Sequence, residues 1–151
     1  MAQGKAVIAS GALYPGYPAS NVTDGSLATF THPNTGPTTG FYYQIDLGQE
    51  YSLHHLSVLN RNDCCPERLT NYQLTLYADG GGVPGVILWQ AGVRTNGTNS
   101  GIGGTDVVFA SASVIPSHVF RGRFLRLSSL GSNAYSPQVA RSEERRVGKE
   151  C

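Results

Sequence analysis

Charged residues are scarce in this sequence. Only 14% of its 151 residues are charged, and the formal net charge is +1. Proteins that bind nucleic acid or a membrane surface usually gain affinity from clustered Lys and Arg residues, because these neutralise phosphate or lipid charge. The composition therefore argues against both kinds of partner and favours a neutral one.

Long apolar runs are also missing. No window approaches the roughly 18 consecutive apolar residues of a membrane-spanning helix, and Met1 to Lys5 lack the apolar segment of a secretory signal. Gly or Pro interrupts every stretch with apolar residues at helical spacing, so at most short helical turns are expected. Because strand-like Ala6–Ala9 follows almost at once, we expect a module of a longer protein.

The remaining pattern is one of short strands. The chain contains 19 Gly and 8 Pro residues, and between them apolar and polar residues alternate over 43–47 and 72–78, the period of a half-buried strand. Further strands are predicted at Leu56–Asn60, Val86–Gln90, Thr105–Phe109 and Arg123–Leu127. The spacing indicates an all-β fold, a single jelly-roll β-sandwich of about eight mainly antiparallel strands.

The composition changes at Arg141. Seven of the eleven residues from there to Cys151 are charged, compared with fourteen in the 140 residues before them. We therefore predict a domain at residues 1–140 and a charged tail at residues 141–151. Two interpretations of the tail stay open: a solvated, disordered end, or a segment foreign to the fold. In the second case the sandwich lacks its native last strand, since the strand-like pattern stops alternating after Ala140.

The densest polar cluster spans the eight residues from Arg61 to Arg68. It contains two guanidinium groups, two carboxylates (Asp63 and Glu67) and two adjacent cysteines (Cys64 and Cys65). The forked donors of Arg match neighbouring hydroxyls of a pyranose ring, and a nearby carboxylate can fix the direction of the fork. The alternative is a surface salt bridge within the loop, which contributes about 0–1 kcal/mol. A glycosidase pair is disfavoured, because the flanking Arg residues keep both carboxylates ionised and leave no general acid.

Cys64 and Cys65 add an unusual possibility. The Cα atoms of consecutive residues lie about 3.8 Å apart, below the usual range for a disulfide. A bridge between these two residues would therefore be strained, and it would form a rigid apolar plate able to pack against the C–H face of a sugar. The alternative is a pair of free thiols in a reducing compartment. Zinc is a weak interpretation, because the pair lacks the CxxC spacing.

The pattern Arg61-x-Asp63-x4-Arg68 around a Cys-Cys pair, with a His upstream, resembles the fucose-binding signature of F-type lectins (fucolectins). The sugar-binding set that the resemblance implies is His32, Arg61, Asp63, Cys64, Cys65 and Arg68. In this set the His and both Arg residues hydrogen-bond the sugar, the Asp orients them, and the two cysteines form a vicinal disulfide that stacks on the ring. The 28 residues between His32 and Arg61 slightly exceed the usual spacing, so the intervening loop must absorb an insertion.

Residues 4–140 also resemble the wider discoidin-like group, which comprises coagulation factor 5/8 C-terminal domains and related carbohydrate-binding modules. Tyr17–Thr29 looks like the calcium loop of that group, where carboxylate, hydroxyl and carbonyl oxygens surround one Ca²⁺. The implied ligands are Asn21, Asp24, Ser26, Thr29 and Ala140. Arg141 stands where the group has a Glu, which should weaken affinity for the ion. A plain Asp-Gly turn is the alternative.

We therefore expect a non-catalytic module that binds L-fucose or fucosylated glycans and is stabilised by Ca²⁺. A single site of this kind is weak, so avidity from an oligomer or a longer protein is expected. The alternatives are a discoidin-like domain that binds protein or lipid, and the targeting domain of a larger secreted enzyme. Since a Cys64–Cys65 bridge requires an oxidising environment, we expect a secreted or cell-surface location.

Overall fold

The computed structural model describes residues 2–34, 39–95, 102–109, 120–130 and 139–146, and it describes only the backbone of Phe109, Phe120 and residues 139–146. Within these ranges the chain forms seven strands and two short 3-10 helices. The strands are β1 (Ala6–Ala9), β2 (Tyr42–Asn60), β3 (Tyr72–Asp79), β4 (Pro84–Gln90), β5 (Thr105–Phe109), β6 (Phe120–Ser129) and β7 (Val139–Arg146), and the 3-10 helices are Ala19–Val22 and Pro66–Arg68. Every strand pair is antiparallel. The predicted all-β class is confirmed.

Strand β2 pairs with two different groups of strands along its length. Its first half lies in a sheet with the order β1-β2-β6-β3-β4. Its second half, Leu53–Asn60, pairs with β5 and β7. The sequence predicts two strands here, but the structure has one strand of 19 residues. The register with β6 shifts between Asp46 and Tyr51, and Gly48 adopts a φ of +91° there. Such a bulge at a glycine lets the strand bend without ending.

The core lies on the inward face of the central strands. Alternation on β2, β3 and β6 turns every second side chain inward, and the inward set is apolar and buried: Tyr43, Ile45, Leu47, Leu74, Leu76, Leu125 and Leu127. Each Leu or Ile side chain of this set stabilises the fold by about 1.5–3 kcal/mol relative to exposure. Trp89 packs half-buried against this cluster.

The last strand continues past the predicted domain boundary. The backbone of residues 141–146 belongs to β7 and pairs with Leu53–Leu59 of β2. Backbone strand pairing thus continues beyond residue 140, and the predicted domain boundary there stays a prediction. The physical reason is that ladder hydrogen bonds join backbone groups, so a charged, non-alternating sequence does not prevent them. Residues 147–151 lie outside the described residues, and the foreign origin of the tail stays a prediction.

The polar loops gather at one end of the sandwich. The segment after β2 begins at Arg61 and is held beside the start of β5, because the Arg61 carbonyl accepts a hydrogen bond from Gly103. The first 3-10 helix contacts β7. In the described part of the chain, no helix has the length and apolar character needed to cross a membrane.

Candidate functional site

Asn60, the last residue of β2, anchors the loop that follows it. The residue is 1% exposed. Its Nδ2 donates to the carbonyl of Pro66 at 2.8 Å, and its Oδ1 accepts from the backbone N–H of Arg61 at 2.9 Å. Its own N–H donates to the carbonyl of Gly104 at 2.9 Å. Nothing in the sequence marks this role, because a polar residue at the end of an apolar strand is common.

Arg61 and Asp63 form a fork of two hydrogen bonds. Arg61 Nε donates to Asp63 Oδ1 and Nη2 donates to Oδ2, both at 2.5 Å. Arg61 is 5% exposed, whereas the Asp63 side chain is 47% exposed. The structure therefore brings together the two residues that the sequence singles out, with the guanidinium buried rather than on the surface.

The charges of this fork are fixed at neutral pH. The Arg61 guanidinium lowers the pKa of the Asp63 carboxyl to about 2, mainly through the side-chain hydrogen bond. The carboxylate in turn raises the pKa of Arg61. An Asp with so low a pKa is ionised throughout the physiological range and has no proton to give as a general acid.

The ring of Phe30 covers one face of the Arg61 guanidinium. The distance from Arg61 Cζ to the ring centroid is 4.0 Å, and Phe30 is 9% exposed. A cation over an aromatic face gains about 0.5–2 kcal/mol, depending on how far it is desolvated. Phe30 and Asp63 therefore hold the guanidinium from two sides. The sequence offers only one signal for Phe30, its place two residues before His32.

His32 is half-buried, and its segment forms backbone hydrogen bonds with the loop before it. Its Nδ1 is 2.9 Å from the carbonyl oxygen of Pro33. Since a carbonyl only accepts, Nδ1 carries the proton, and Nε2 is the acceptor in the neutral ring. The ring of Tyr14 meets the imidazole edge-on at 4.7 Å between centroids. The backbone N–H of Tyr14 donates to the His32 carbonyl at 2.8 Å.

Two aromatic contacts connect His32 with Arg61. The ring of Tyr17 lies 5.8 Å from that of His32 and 4.8 Å from that of Phe30, and Phe30 contacts Arg61. Arg68 ends the second 3-10 helix of the same loop and is half-buried. The sugar-binding residues predicted from the sequence thus lie on neighbouring segments at one end of the fold.

Cys64 and Cys65 adjoin the fork and are both half-buried free thiols in this structure. The backbone N–H of Cys64 donates to Asp63 Oδ1 at 2.9 Å. A hydrogen bond between the two cysteine side chains raises the pKa of Cys64. Cys65 has φ 56° and ψ 51°, a left-handed conformation that costs a non-glycine residue about 1–2 kcal/mol. The disulfide stays a prediction.

The predicted calcium loop is organised around Asp24. One carboxylate oxygen accepts from the backbone N–H of Ser26 at 2.8 Å, and the other accepts from the Thr29 hydroxyl at 2.5 Å. The side-chain amide of Asn21 donates to the carbonyl of Phe30 at 2.9 Å. This loop therefore also supports Phe30, whose ring is the platform beneath the Arg61 guanidinium. Ala140 lies in β7, which contacts the helix that carries Asn21.

A protein site for Ca²⁺ takes about 6–8 oxygen ligands. Oxygen ligands are available, and those of Asp24 and Thr29 are adjacent, as a hard cation needs. The set holds one carboxylate, and no group of three or more His, Cys, Asp or Glu residues occurs in the described parts of the chain. The residues therefore fit a Ca²⁺ site of low charge, for which weak affinity is expected.

An open cleft of about 420 Å³ adjoins the platform. Its lining residues come from the loop before the first 3-10 helix, that helix and the end of the calcium loop: Pro15, Gly16, Tyr17, Asn21, Ala28, Thr29 and Phe30. Its volume lies within the range of small-molecule sites. The cavity inside the apolar core measures only about 10 Å³, too small for any ligand.

An antiparallel β-sandwich with polar loops gathered at one end is the architecture of discoidin-like domains. A family model described as F5/8 type C domain matches residues 6–143 of this chain. The chain belongs to the F5/8 type C family.

Two curated relatives are fucolectins of Anguilla japonica. Fucolectin-6 is 34% identical over 67 residues, which make up 42% of this chain and 36% of the relative. Fucolectin-5 is 31% identical over 64 residues, 41% of this chain and 33% of the relative. The matched segment thus spans about a third of each relative.

Solved structures share the fold. The lectin domain of lectinolysin, complexed with Lewis B antigen, gives a TM-score of 0.77 at 19% identity and covers 97% of this chain and 96% of that one. The Streptococcus pneumoniae fucose-binding module SpX-3 gives 0.75 at 18% identity, with 97% of both chains covered. The family 32 module of C. perfringens NanJ, in complex with galactose, gives 0.67 at 13% identity and covers 92% and 91%.

Proposed function

We propose that this chain is a non-catalytic module that binds L-fucose or fucosylated glycans at the end of the sandwich built on Arg61. The observation that carries the proposal is the Arg61–Asp63 fork, seated on Phe30. Because the guanidinium is buried, charged and held from two sides, its donors are oriented before a ligand arrives. Preorganisation of this kind saves ordering entropy on binding.

The polar groups at this end suit a neutral ligand rich in hydroxyls. A hydroxyl both donates and accepts hydrogen bonds. Arg61 and Arg68 supply donors, while His32 Nε2 and the ionised Asp63 supply acceptors. The similarity to the fucolectins and to fucose-binding modules supports fucose as the first sugar to test.

The second part of the proposal concerns Cys64 and Cys65. In an oxidising environment these adjacent thiols would form a vicinal disulfide, which would complete an apolar plate beside the fork. Their side-chain contact and their half-buried state support this. Mass spectrometry of the intact protein tests the idea: the oxidised protein would lack two hydrogens that reduction restores, and a peptide carrying both thiols free under oxidising conditions would contradict it.

Ca²⁺ is the third part of the proposal. Asn21, Asp24, Ser26, Thr29 and Ala140 would hold the ion. When bound, it would supply a positive charge that draws the loop oxygens and β7 together. The asparagine of this set donates to the Phe30 carbonyl, so a loop fixed by Ca²⁺ would also fix the platform under Arg61.

Competition on a glycan surface tests the sugar assignment. The protein should bind an immobilised fucosylated glycan, and free L-fucose should displace it while D-mannose at the same concentration should not. Retention on the glycan that L-fucose leaves unchanged would contradict the proposed ligand.

A further inference from the structure

Residues 14–17 form a tight turn beside the proposed sugar site. The backbone N–H of Tyr17 donates to the Tyr14 carbonyl at 3.1 Å, and Gly16 adopts a φ of +87°. Proline at the second position and a glycine with positive φ at the third are typical of a type II turn. Because Pro15 also fixes its own φ, this segment is rigid before any ligand arrives.

The turn holds two tyrosine rings against His32. The ring centroid of Tyr14 lies 4.7 Å from that of the imidazole, and the ring centroid of Tyr17 lies 5.8 Å from it. Tyr14 is 48% exposed and Tyr17 is 37% exposed. A partly exposed tyrosine offers an apolar ring together with a polar hydroxyl. Both rings can therefore contact a ligand that reaches His32.

Two aromatic residues belong both to the proposed sugar site and to the cleft of about 420 Å³. Tyr17 and Phe30 line the cleft, while Tyr17 also contacts His32 and Phe30 also contacts Arg61. The cleft and the fucose site thus share a wall. The volume of the cleft lies in the lower part of the range of small-molecule sites, about 300–1,000 Å³, which suits one sugar ring rather than a long chain.

The lining of the cleft suits an uncharged ligand. Among the described residues that line it, none carries a charge, so no ion pair is available for a phosphate or a carboxylate. The Thr29 hydroxyl donates to Asp24 and can still accept a hydrogen bond. The amide of Asn21 donates to the Phe30 carbonyl and keeps its own carbonyl oxygen as an acceptor. Hydroxyl groups are donors that match these acceptors.

We propose that this cleft is a second sugar subsite, which takes the neutral pyranose that carries the fucose. The inference rests on the proposed function and deepens it. While His32 and Arg61 hold the fucose, the ring attached to it lies in the cleft, with its C–H face on Tyr17 and its hydroxyls toward Asn21 and Thr29. The preferred ligand is then a fucosylated oligosaccharide rather than free fucose.

Calorimetric titration with two kinds of probe separates the subsite from the fucose site. Methyl α-L-fucoside offers only the fucose ring, whereas disaccharides of fucose linked to galactose or to N-acetylglucosamine add one neutral ring. The wild type should bind at least one of these disaccharides about three- to tenfold more tightly than the methyl fucoside, the effect of about one added net hydrogen bond.

Ala28→Trp tests where the added ring binds. Ala28 is exposed and lines the cleft, so a large side chain there should fill the cleft while His32, Arg61 and Arg68 stay unaltered. Affinity for the methyl fucoside should stay within about twofold of the wild type, as for other surface substitutions, and the gain with the disaccharide should be lost. Ala28→Arg provides a second filling side chain. Leu27→Trp is the matched control, because Leu27 is 53% exposed next to Ala28 and is not among the lining residues. It should keep the gain, and circular dichroism verifies folding of each variant.

Three results would overturn the subsite: equal affinities of the wild type for the methyl fucoside and every disaccharide, a gain that survives in both Ala28→Trp and Ala28→Arg, or an equal loss of the gain in Leu27→Trp. The proposed function has a separate readout. If the wild type binds the methyl fucoside without any gain from the second ring, only the subsite fails. If it binds none of the probes, the proposed function fails and the subsite fails with it.

Discussion

The guanidinium of Arg61 rests on the ring of Phe30, with 4.0 Å between Cζ and the ring centroid. The two residues are far apart in the sequence, and the contact joins the loop after β2 to the segment that carries His32. This single contact connects the two halves of the predicted sugar site. It also connects the site with the calcium loop, since Asn21 holds the Phe30 carbonyl.

Phe30→Leu is expected to lower affinity for fucose by up to about tenfold, because the variant keeps an apolar side chain but loses the cation–π contact of about 0.5–2 kcal/mol that orients the Arg61 guanidinium. Isothermal titration measures the change. Phe124→Leu is the matched control. Phe124 is buried on β6, away from the loop that follows β2, and its ring centroid lies 4.9 Å from Arg123 Cζ. Both variants should lose some stability, but only Phe30→Leu should lose affinity. Equal affinities for the two variants would argue against the platform.

Asp63 gives the protein a pH-dependent contribution to stability. Its pKa in the folded state, about 2, lies below the value of about 3.9 in an unfolded chain. A depressed pKa contributes stability that is complete above the unfolded value and is lost as the pH falls through the folded value. Because the side chain is half exposed, we expect about 1 kcal/mol or less after solvent screening.

Urea unfolding of the wild type and Asp63→Asn at pH 6 and near pH 2 tests this contribution. The wild type should be the more stable protein at pH 6, and the difference should shrink as the pH falls from about 4 to about 2. A difference that stayed constant over this range would mean that Asp63 does not act through its charge.

Asn60→Ala should loosen the whole loop that follows β2. The substitution removes bonds to the Pro66 carbonyl and the Arg61 N–H, and buried groups left unsatisfied cost about 1–3 kcal/mol each. The free energy of unfolding should fall by about 2 kcal/mol, and fucose affinity should fall with it. Asn62→Ala, at an exposed position in the same loop, should change the unfolding energy by less than about 0.5 kcal/mol. Comparable losses in both variants would contradict the anchoring role.

Calcium should raise the melting temperature by a few degrees at millimolar concentration, because a ligand that binds only the folded state stabilises it by mass action. Mg²⁺ should do less, since it requires a tighter octahedral shell. Asp24→Asn should abolish the effect. Arg141→Glu should increase it, by exchanging a cation for a carboxylate next to Ala140. A melting temperature that did not respond to Ca²⁺ in both the wild type and Arg141→Glu would rule out the site.

Much of the fold follows from alternation in the sequence. The predicted strand Thr105–Phe109 matches β5, and the other predicted strands lie within observed ones. The bend of β2 at Gly48 and the continuation of β7 past Ala140 could not be predicted, since both depend on backbone pairing between distant segments. Side-chain patterns carry no information about such pairing when the partner is unknown.

The site is only partly predictable for a similar reason. Arg61 and Asp63 stand two residues apart, so their fork is a local feature that spacing reveals. Phe30 and Asn60 act through contacts that only the folded chain makes. Phe30 contacts Arg61 from a distant segment, and Asn60 holds the loop that follows it. Neither residue belongs to a motif of charged or metal-binding residues, and only the structure assigns their roles.

Calorimetric titration with L-fucose tests the central claim most directly. The wild type should bind saturably with a dissociation constant between micromolar and millimolar, as expected for a small ligand on a shallow site. Arg61→Ala should weaken binding at least about tenfold through the lost charge-assisted hydrogen bonds. Arg121→Ala is the control, because the Arg121 side chain is 71% exposed and pairs with Glu50 away from the site, and it should bind like the wild type. No saturable heat with the wild type, or equal binding by Arg61→Ala and Arg121→Ala, would contradict the account.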